Sequence, residues 1–213
     1  MKAFFPIIIF VLVLASCSTS KREHLFNGEN LEGWTIFVSD STVNPNNYFY
    51  VNNGMIETVG VPIGYLRTTK EYSNYKLHVE WRYPEEPTNS GVFVHTSGDD
   101  LIWVGHYQGQ LKHENAGDFI VHGVGRSATL ADSTYTSTAE HKPLISKYES
   151  SSENLAGEWN SYDITCKGDT IELMVNGVLQ NVATNCSVTK GSIGLQAEGS
   201  KIQFRNLWVE PLD

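Results

Sequence analysis

The sequence predicts an all-β protein of the sandwich or barrel class. Apolar and polar residues alternate with a period of two over most of the chain. Gly and Asn turn signals separate these runs at short, regular spacing. No stretch carries a helical apolar period over a convincing length.

The strands follow in chain order. Tyr48 to Val51 and Met55 to Val59 flank an Asn52-Asn53-Gly54 turn, the pattern of a β-hairpin. Tyr65 to Thr68 is a further strand. Tyr75 to Tyr83 alternates cleanly: Leu77, Val79, Trp81 and Tyr83 take one face, and His78, Glu80 and Arg82 the other. Gly91 to Thr96 and Trp103 to Lys112 alternate too, the latter placing His106, Gln108, Gln110 and Lys112 together. Ser161 to Cys166 and Thr170 to Val175 turn at Lys167-Gly168-Asp169, and Asn176-Gly177 leads into Val178 to Val182. Ser192 to Ala197 and Ile202 to Val209 close the domain. The segment from Ser127 to Glu158 lacks sustained alternation, and a loop of that length is expected to be functional or mobile.

The N-terminus reads as an export signal. Lys2 supplies charge, Phe4 to Leu14 form an apolar run, and Leu14-Ala15-Ser16-Cys17 resembles a bacterial lipobox. That resemblance implies a signal peptide over residues 1–16, acylation of Cys17, a polar tether to residue 24, and a domain over residues 25–213. The expected location is the cell envelope, in the periplasm or at the outer membrane, with membrane contact through the lipid only. A plain secretory signal is the alternative. The net charge of −9 argues against nucleic acid as the main partner. Cys166 and Cys186 are left over; an exported compartment allows a disulfide between them, and two buried thiols are equally compatible with the sequence.

The chemistry concentrates between Glu80 and His113. Glu80, Arg82, His95, Gln108, Gln110 and His113 fall at polar positions of successive strands or at their ends. Acid, guanidinium, amide and imidazole on one sheet face would make a floor for a hydroxylated ligand. The plain alternative for Glu80 and Arg82 is an exposed ion-pair ladder worth under about 1 kcal/mol. Trp103 is either a stacking platform for a sugar or a core residue. Asp99 and Asp100 could hold Ca²⁺ or another divalent cation through oxygen, or form a solvated turn. Of the 7 histidines, His78, His95, His106, His113 and His122 lie in this central part. No helical His-x-x-x-His or Cys pair supports a zinc site. No cofactor is implied with certainty.

Leu25-Phe26-Asn27-Gly28 with Leu31-Glu32-Gly33-Trp34 opens a series of short motifs. Tyr65-Leu66-Arg67-Thr68, Lys70-Glu71-Tyr72, Glu80-Trp81-Arg82 and Asn89-Ser90-Gly91-Val92-Phe93 continue it. Gly157-Glu158-Trp159-Asn160, Asn176-Gly177, Gly194-Leu195-Gln196 and Phe204-Arg205-Asn206 complete it. In order and spacing the series resembles the 3-keto-disaccharide hydrolase family over nearly the whole mature chain. The resemblance implies a concanavalin-like jelly roll of two curved antiparallel sheets, with a cleft on the concave face. It also implies an oxidised disaccharide or glycoside as substrate, with the ketone on carbon 3. One departure stands out: where the family carries Glu-x-Gln before the Asn115-Ala116-Gly117-Asp118 loop, this chain reads Gln108-Gly109-Gln110. An amide is neither a base nor a strong metal ligand.

On that resemblance, cleavage would proceed by removal of the carbon 2 proton, elimination and hydration. Glu80 or His113 is the expected base, Arg82 and Gln110 the expected stabilisers of the oxyanion, and His95 the expected acid. Asn89, Trp103, Gln108, Lys112, Gln196 and Glu198 are the expected substrate contacts. The competing reading is a non-catalytic carbohydrate-binding lipoprotein.

Overall fold

The computed structural model describes residues 21–213. The expected signal peptide and the lipidation site at Cys17 lie outside the described residues. Seventeen strands make up most of the chain. They are β1 (Glu23–His24), β2 (Trp34–Val38), β3 (Phe49–Asn52), β4 (Met55–Thr58), β5 (Gly64–Thr68) and β6 (Tyr75–Arg82). The central ones are β7 (Gly91–Ser97), β8 (Gly105–Gln110), β9 (Phe119–His122), β10 (Ser127–Leu130), β11 (Ser133–Thr136) and β12 (Leu144–Ile145). Last come β13 (Asn160–Lys167), β14 (Thr170–Val175), β15 (Val178–Ala183), β16 (Ser192–Ala197) and β17 (Ile202–Pro211). Pro45–Asn47 forms a single 3-10 turn capped by the Asn44 side chain.

Two large antiparallel sheets face each other. One is eight-stranded, in the order β15-β14-β13-β6-β17-β4-β3, with β1 added beside β17. The other is seven-stranded, in the order β12-β9-β8-β7-β16-β5-β2. The inward residues of both sheets make one core. Leu77, Val79 and Trp81 of β6 and Tyr162 and Ile164 of β13 meet Val92, Val94, Tyr107, Phe119 and Leu195 from the opposite sheet, all fully or almost fully buried. The expected tether ends sooner than residue 24, because Glu23 and His24 pair with Val209 and Trp208.

The segment from Ser127 to Glu158 is less irregular than its composition predicts. It holds the β10–β11 hairpin and β12. Its remainder is pinned by side chains: Gln180 donates to Ser152 Oγ (3.0 Å), and Asn176 donates to the Ser152 carbonyl (2.8 Å). Asn160 Oδ1 accepts from the Asn154 amide at 2.7 Å. Cys166 and Cys186 are both buried free thiols, so the disulfide alternative is not the one seen.

Two features of the fold decide which side chains can meet. The first is alternation: inward Leu77, Val79 and Trp81 force Glu80 and Arg82 onto the outer face of the first sheet, while inward Tyr107 forces Gln108 and Gln110 onto the outer face of the second. Sheets pack about 10 Å apart, and these side chains point away from each other. The expected convergence of Glu80 and Arg82 with Gln110 and His113 therefore does not occur. The second is a bulge. Pairing slips between Val94 and Ser97, and His95 takes φ 51°. Strict alternation would aim His95 outward with Phe93; the bulge turns it inward, edge-on to Tyr75 and Tyr107, with no exposed surface. The expected acid is a core residue.

Gly109 lies where β8 crosses Tyr162, and a Cβ there would fall 2.5 Å from the phenol oxygen. Tyr162 is fully buried. Gly109→Ala should cost about 1–3 kcal/mol by overpacking, measured as a lower midpoint in denaturant with an unchanged slope.

Candidate functional site

The outer face of the second sheet carries two rows of side chains. The first is aromatic. Phe37 stacks on Tyr65 (ring centres 5.0 Å apart), and Tyr65 tilts against Phe93 (6.0 Å). Phe93 stacks on His106 at 3.7 Å, His106 on His122 at 4.4 Å, and His122 on Trp103 at 5.6 Å. Gly194 makes the row possible, because a Cβ there would press on the Phe93 side chain at 3.1 Å. Trp103 is exposed, with Lys142 over its ring at 4.3 Å. The core alternative for this tryptophan is excluded.

The second row is polar. Gly91 leaves a gap on β7, since a Cβ there would fall 2.5 Å from Gln108 Nε2. Through that gap Gln108 reaches across to β16. Gln108 Nε2 donates to Gln196 Oε1 (3.2 Å) and to Gln110 Oε1 (3.1 Å). Gln196 Nε2 donates to Glu198 Oε2 at 2.8 Å. Gln110 Oε1 also accepts the amides of Leu111 (3.0 Å) and Lys112 (3.2 Å). Lys112 itself is exposed. Asn89 pairs with Glu198 through an isolated bridge. Burial raises the Glu198 carboxyl above the ordinary range, and a hydrogen bond from Asn89 partly offsets this.

These bonds fix every amide and leave acceptors open. The oxygen of Gln110 must face the two backbone amides, so Gln108 must turn its nitrogen there and its oxygen toward His106. His106 Nδ1 lies 2.7 Å from the Val104 carbonyl and carries the proton. Burial and the neighbouring His122 hold His106 well below its usual range, so the ring is neutral and Nε2 is an acceptor. It faces Gln108 Oε1, another acceptor, at 3.4 Å. His122 Nδ1 and Asn89 Oδ1 are buried with no partner among the described residues. A face with open acceptors fits a ligand that brings several hydroxyl donors.

The flanking acids have fixed partners. Asp100 accepts from Arg67 Nε (2.7 Å), Arg67 Nη2 (3.0 Å) and the Tyr65 hydroxyl (2.9 Å). It is a strut for the loop carrying Trp103, and the expected cation role of Asp99 and Asp100 is not supported. Among the described residues no cluster of three or more His, Cys, Asp or Glu could hold a metal. Glu80 is held by Arg205 Nε (2.6 Å) and Asn206 Nδ2 (2.9 Å), and Arg82 donates to Gln203 Oε1 (2.6 Å). Both belong to a structural network on the other sheet.

His113 lies just beyond β8, where its backbone amide donates to the Thr88 carbonyl at 3.0 Å. Its Nδ1 is 3.2 Å from Glu153 Oε2, while Glu153 Oε1 accepts the Ala116 amide at 3.1 Å. This pair borders a cavity of about 660 Å³ lined also by Ser150, Asn154 and Leu155. Sequence reasoning found Gln108, Gln110, Gln196 and Glu198, which do come together, and Asn89 beside them. It did not select Tyr65, Arg67, Phe93 or Glu153. The alternation of β5 and β7 was the available signal for the first three; Glu153 sits in a loop with no period to read.

The described fold is that of the concanavalin-like jelly rolls found in glucanases and carbohydrate-binding modules. The chain belongs to the 3-keto-α-glucoside-1,2-lyase-like family, whose model matches residues 21–210, and its function is carbohydrate-related. A candidate glycosyl hydrolase from Parabacteroides distasonis ATCC 8503 is similar in structure: 20% identity, 90% of this chain and 94% of that one, TM-score 0.65. A second from the same organism gives 24% identity, 90% and 100% coverage, and a TM-score of 0.63. The carbohydrate-binding module CBM66 from Bacillus subtilis gives 12% identity, 84% and 95% coverage, and a TM-score of 0.60. No curated protein matches the sequence significantly.

Two predictions follow from the geometry of this face and of the His95 bulge. Gly91→Ala should push Gln108 out of the row, costing about 1–3 kcal/mol and shifting the side-chain amide resonances of Gln108 and Gln196. The second concerns pH. Burial pushes His95 and His122 down to about 4 from an ordinary value of 6.5. In that window the unfolded chain binds protons that the folded chain refuses, so stability must fall as pH falls. The melting temperature should drop steadily from pH 7 to pH 4.5; a flat profile would refute the neutral-histidine assignment.

Proposed function

We propose that the protein cleaves glycosides whose sugar carries a ketone at carbon 3. The observation that carries this reading is the polar row itself: one carboxylate, Glu198, at the end of three interlocked amides, beside buried acceptors that lack donors. A single carboxylate suits elimination better than ordinary glycoside hydrolysis, which uses a flanking pair.

In this scheme Glu198 takes the proton from carbon 2, which the adjacent ketone makes acidic. The electron pair of the broken C–H bond moves into the C2–C3 bond, and charge develops on the carbon 3 oxygen. Gln110 Nε2, whose oxygen is already held by backbone amides, donates to that oxygen. The electron pair then forms the C1–C2 double bond and expels the oxygen on carbon 1. Glu198, now neutral, returns its proton to that leaving oxygen. Water adds across the double bond, hydroxyl to carbon 1 and hydrogen to carbon 2, releasing the free keto sugar. Burial suits Glu198 to both steps by bringing its proton affinity nearer to neutral pH. Gln108, Gln196 and Asn89 position hydroxyl groups, and Trp103 walls the far end. The lipobox-like Leu14-Ala15-Ser16-Cys17 supports the further reading that the protein is exported to the cell envelope and anchored through Cys17.

A non-catalytic carbohydrate-binding role is favoured by one observation: amides dominate the row, and the position that the family resemblance gives to glutamate is Gln108. Incubation with a 3-keto-glucoside and with its unoxidised parent separates the two. Release of sugar from the keto compound alone supports the enzyme; binding of the parent with no release supports the module. Glu198→Gln should lower turnover at least ~10²-fold. It should melt no lower than wild type at pH 7, because it removes a buried charge. Glu80→Gln, on the other sheet, should keep most of its turnover. Full turnover in the Glu198 variant would remove Glu198 from the chemistry.

A further inference from the structure

Arg126 is a buried cation without a counter-ion. Its residue surface is only 6% exposed. Nη1 donates to the His95 carbonyl (2.9 Å) and Nη2 to Ser97 Oγ (2.8 Å), both neutral acceptors. The guanidinium lies over the Tyr107 ring at 4.9 Å. Among the described residues no carboxylate pairs with it. Nearby acidic groups do not compensate it: burial pushes the Cys186 thiol up to about 12, and raises the Tyr107 phenol as well. His95, His106 and His122, whose rings its charge also disfavours, are neutral. A buried charge normally has a partner.

The space beside Arg126 is shaped to admit one. A cavity of about 510 Å³ opens there, lined by Ser97, Gly105, Gly123, Gly125, Arg126 and Ser187, with Val124 and Val188 at its sides. Its floor has no side chains where it meets the guanidinium: a Cβ on Gly105 would sit 3.2 Å from Arg126 Nη2, and one on Gly123 would sit 2.9 Å from Gly105 Cα. Two hydroxyls border it. Ser97 Oγ accepts from Arg126 and keeps its own proton to give, whereas Ser187 Oγ accepts the Ser127 amide at 2.9 Å and gives its proton to the Tyr107 hydroxyl at 3.4 Å, which itself donates to the Ser127 carbonyl. Gly105 and Gly123 directly adjoin His106 and His122, but Gly105 points to the opposite side of β8 from His106. The cavity is thus distinct from the polar row.

We propose that this cavity binds a compact oxyanion carried on a small hydroxylated molecule, with Arg126 as counter-ion and Ser97 as hydroxyl donor. A uronic-acid carboxylate and a sulfate or phosphate group share this chemistry. The proposal does not depend on the cleavage reaction. Thermal melts of the full domain, at ionic strength matched with chloride, test it with sodium glucuronate, sulfate, phosphate and neutral glucose as separate arms. At least one of the three oxyanions should raise the melting temperature by about 3 °C or more at saturation, and glucose should not. The arm that responds at the lowest concentration identifies the group.

Arg126→Gln should abolish the response. Because Arg126 also supports the His95 bulge, a second variant guards against misfolding. Val124 is 77% exposed at the rim, and Val124→Glu supplies an internal carboxylate without touching the core. It should fold and lose the anion response. An unchanged response in either folded variant, an equal shift with glucose, or no shift with any oxyanion would each overturn the proposal.

Discussion

The candidate site depends on two missing side chains. Gly91 and Gly194 sit on adjacent strands of the second sheet, and each leaves a gap that a neighbour fills sideways. Gln108 lies across the first gap and Phe93 borders the second. Side chains in a sheet normally stand upright and meet only direct or diagonal neighbours. Laying them across a glycine joins strands that do not touch, so β8 reaches β16 over β7. Amide and ring interactions thereby become continuous rows, and the outer face acquires a fixed donor and acceptor order before any ligand arrives. The general lesson is that preorganisation in a flat sheet can come from deleting atoms.

Much of this was legible in the sequence. Alternation placed Gln108 and Gln110 together, as well as Gln196 and Glu198, and turn residues marked most of the strand boundaries. What alternation cannot supply is which sheet a strand joins. Glu80 and Gln110 both occupy polar positions of clean strands, yet β6 pairs with β13 and β17 while β8 pairs with β7 and β9. That choice is made by long-range pairing, which leaves no local trace. His95 was misplaced for a different reason: a single extra residue in a bulge reverses the side on which the chain presents it. Arg126 sits immediately before β10, at the edge of a segment whose composition read as loop, so nothing signalled its burial.

The outer face of the first sheet shows what the expected catalytic pair does instead. Arg82 and Arg205 both lie over Trp159, with guanidinium carbons 4.7 and 3.9 Å from the ring. Arg205 in turn holds Glu80, and Arg82 holds Gln203, which donates to Glu57 at 2.6 Å. Three segments distant in sequence, around Trp81, Trp159 and Phe204, are clamped together there. The motifs that define the family resemblance therefore divide between two jobs. Glu80-Trp81-Arg82, Gly157-Glu158-Trp159-Asn160 and Phe204-Arg205-Asn206 brace the first sheet. Asn89-Ser90-Gly91 and Gly194-Leu195-Gln196 build the rows on the second sheet's outer face.

The first strand has a mechanical meaning. Glu23 and His24 pair with the final strand, Arg22 lies over Trp208 at 4.1 Å and bridges Glu210 at 3.2 Å, and Lys70 reaches Glu23 at 2.6 Å. Glu23 and His24 thus lie beside the last strand, and β17 is in turn laddered to β6. Tension applied from ahead of Lys21 would reach this corner first. It would detach β1 and its ion pairs as a sacrificial clasp, while the sheet behind kept its shape. Drag on the domain would be absorbed at that seam, far from the polar row on the opposite layer.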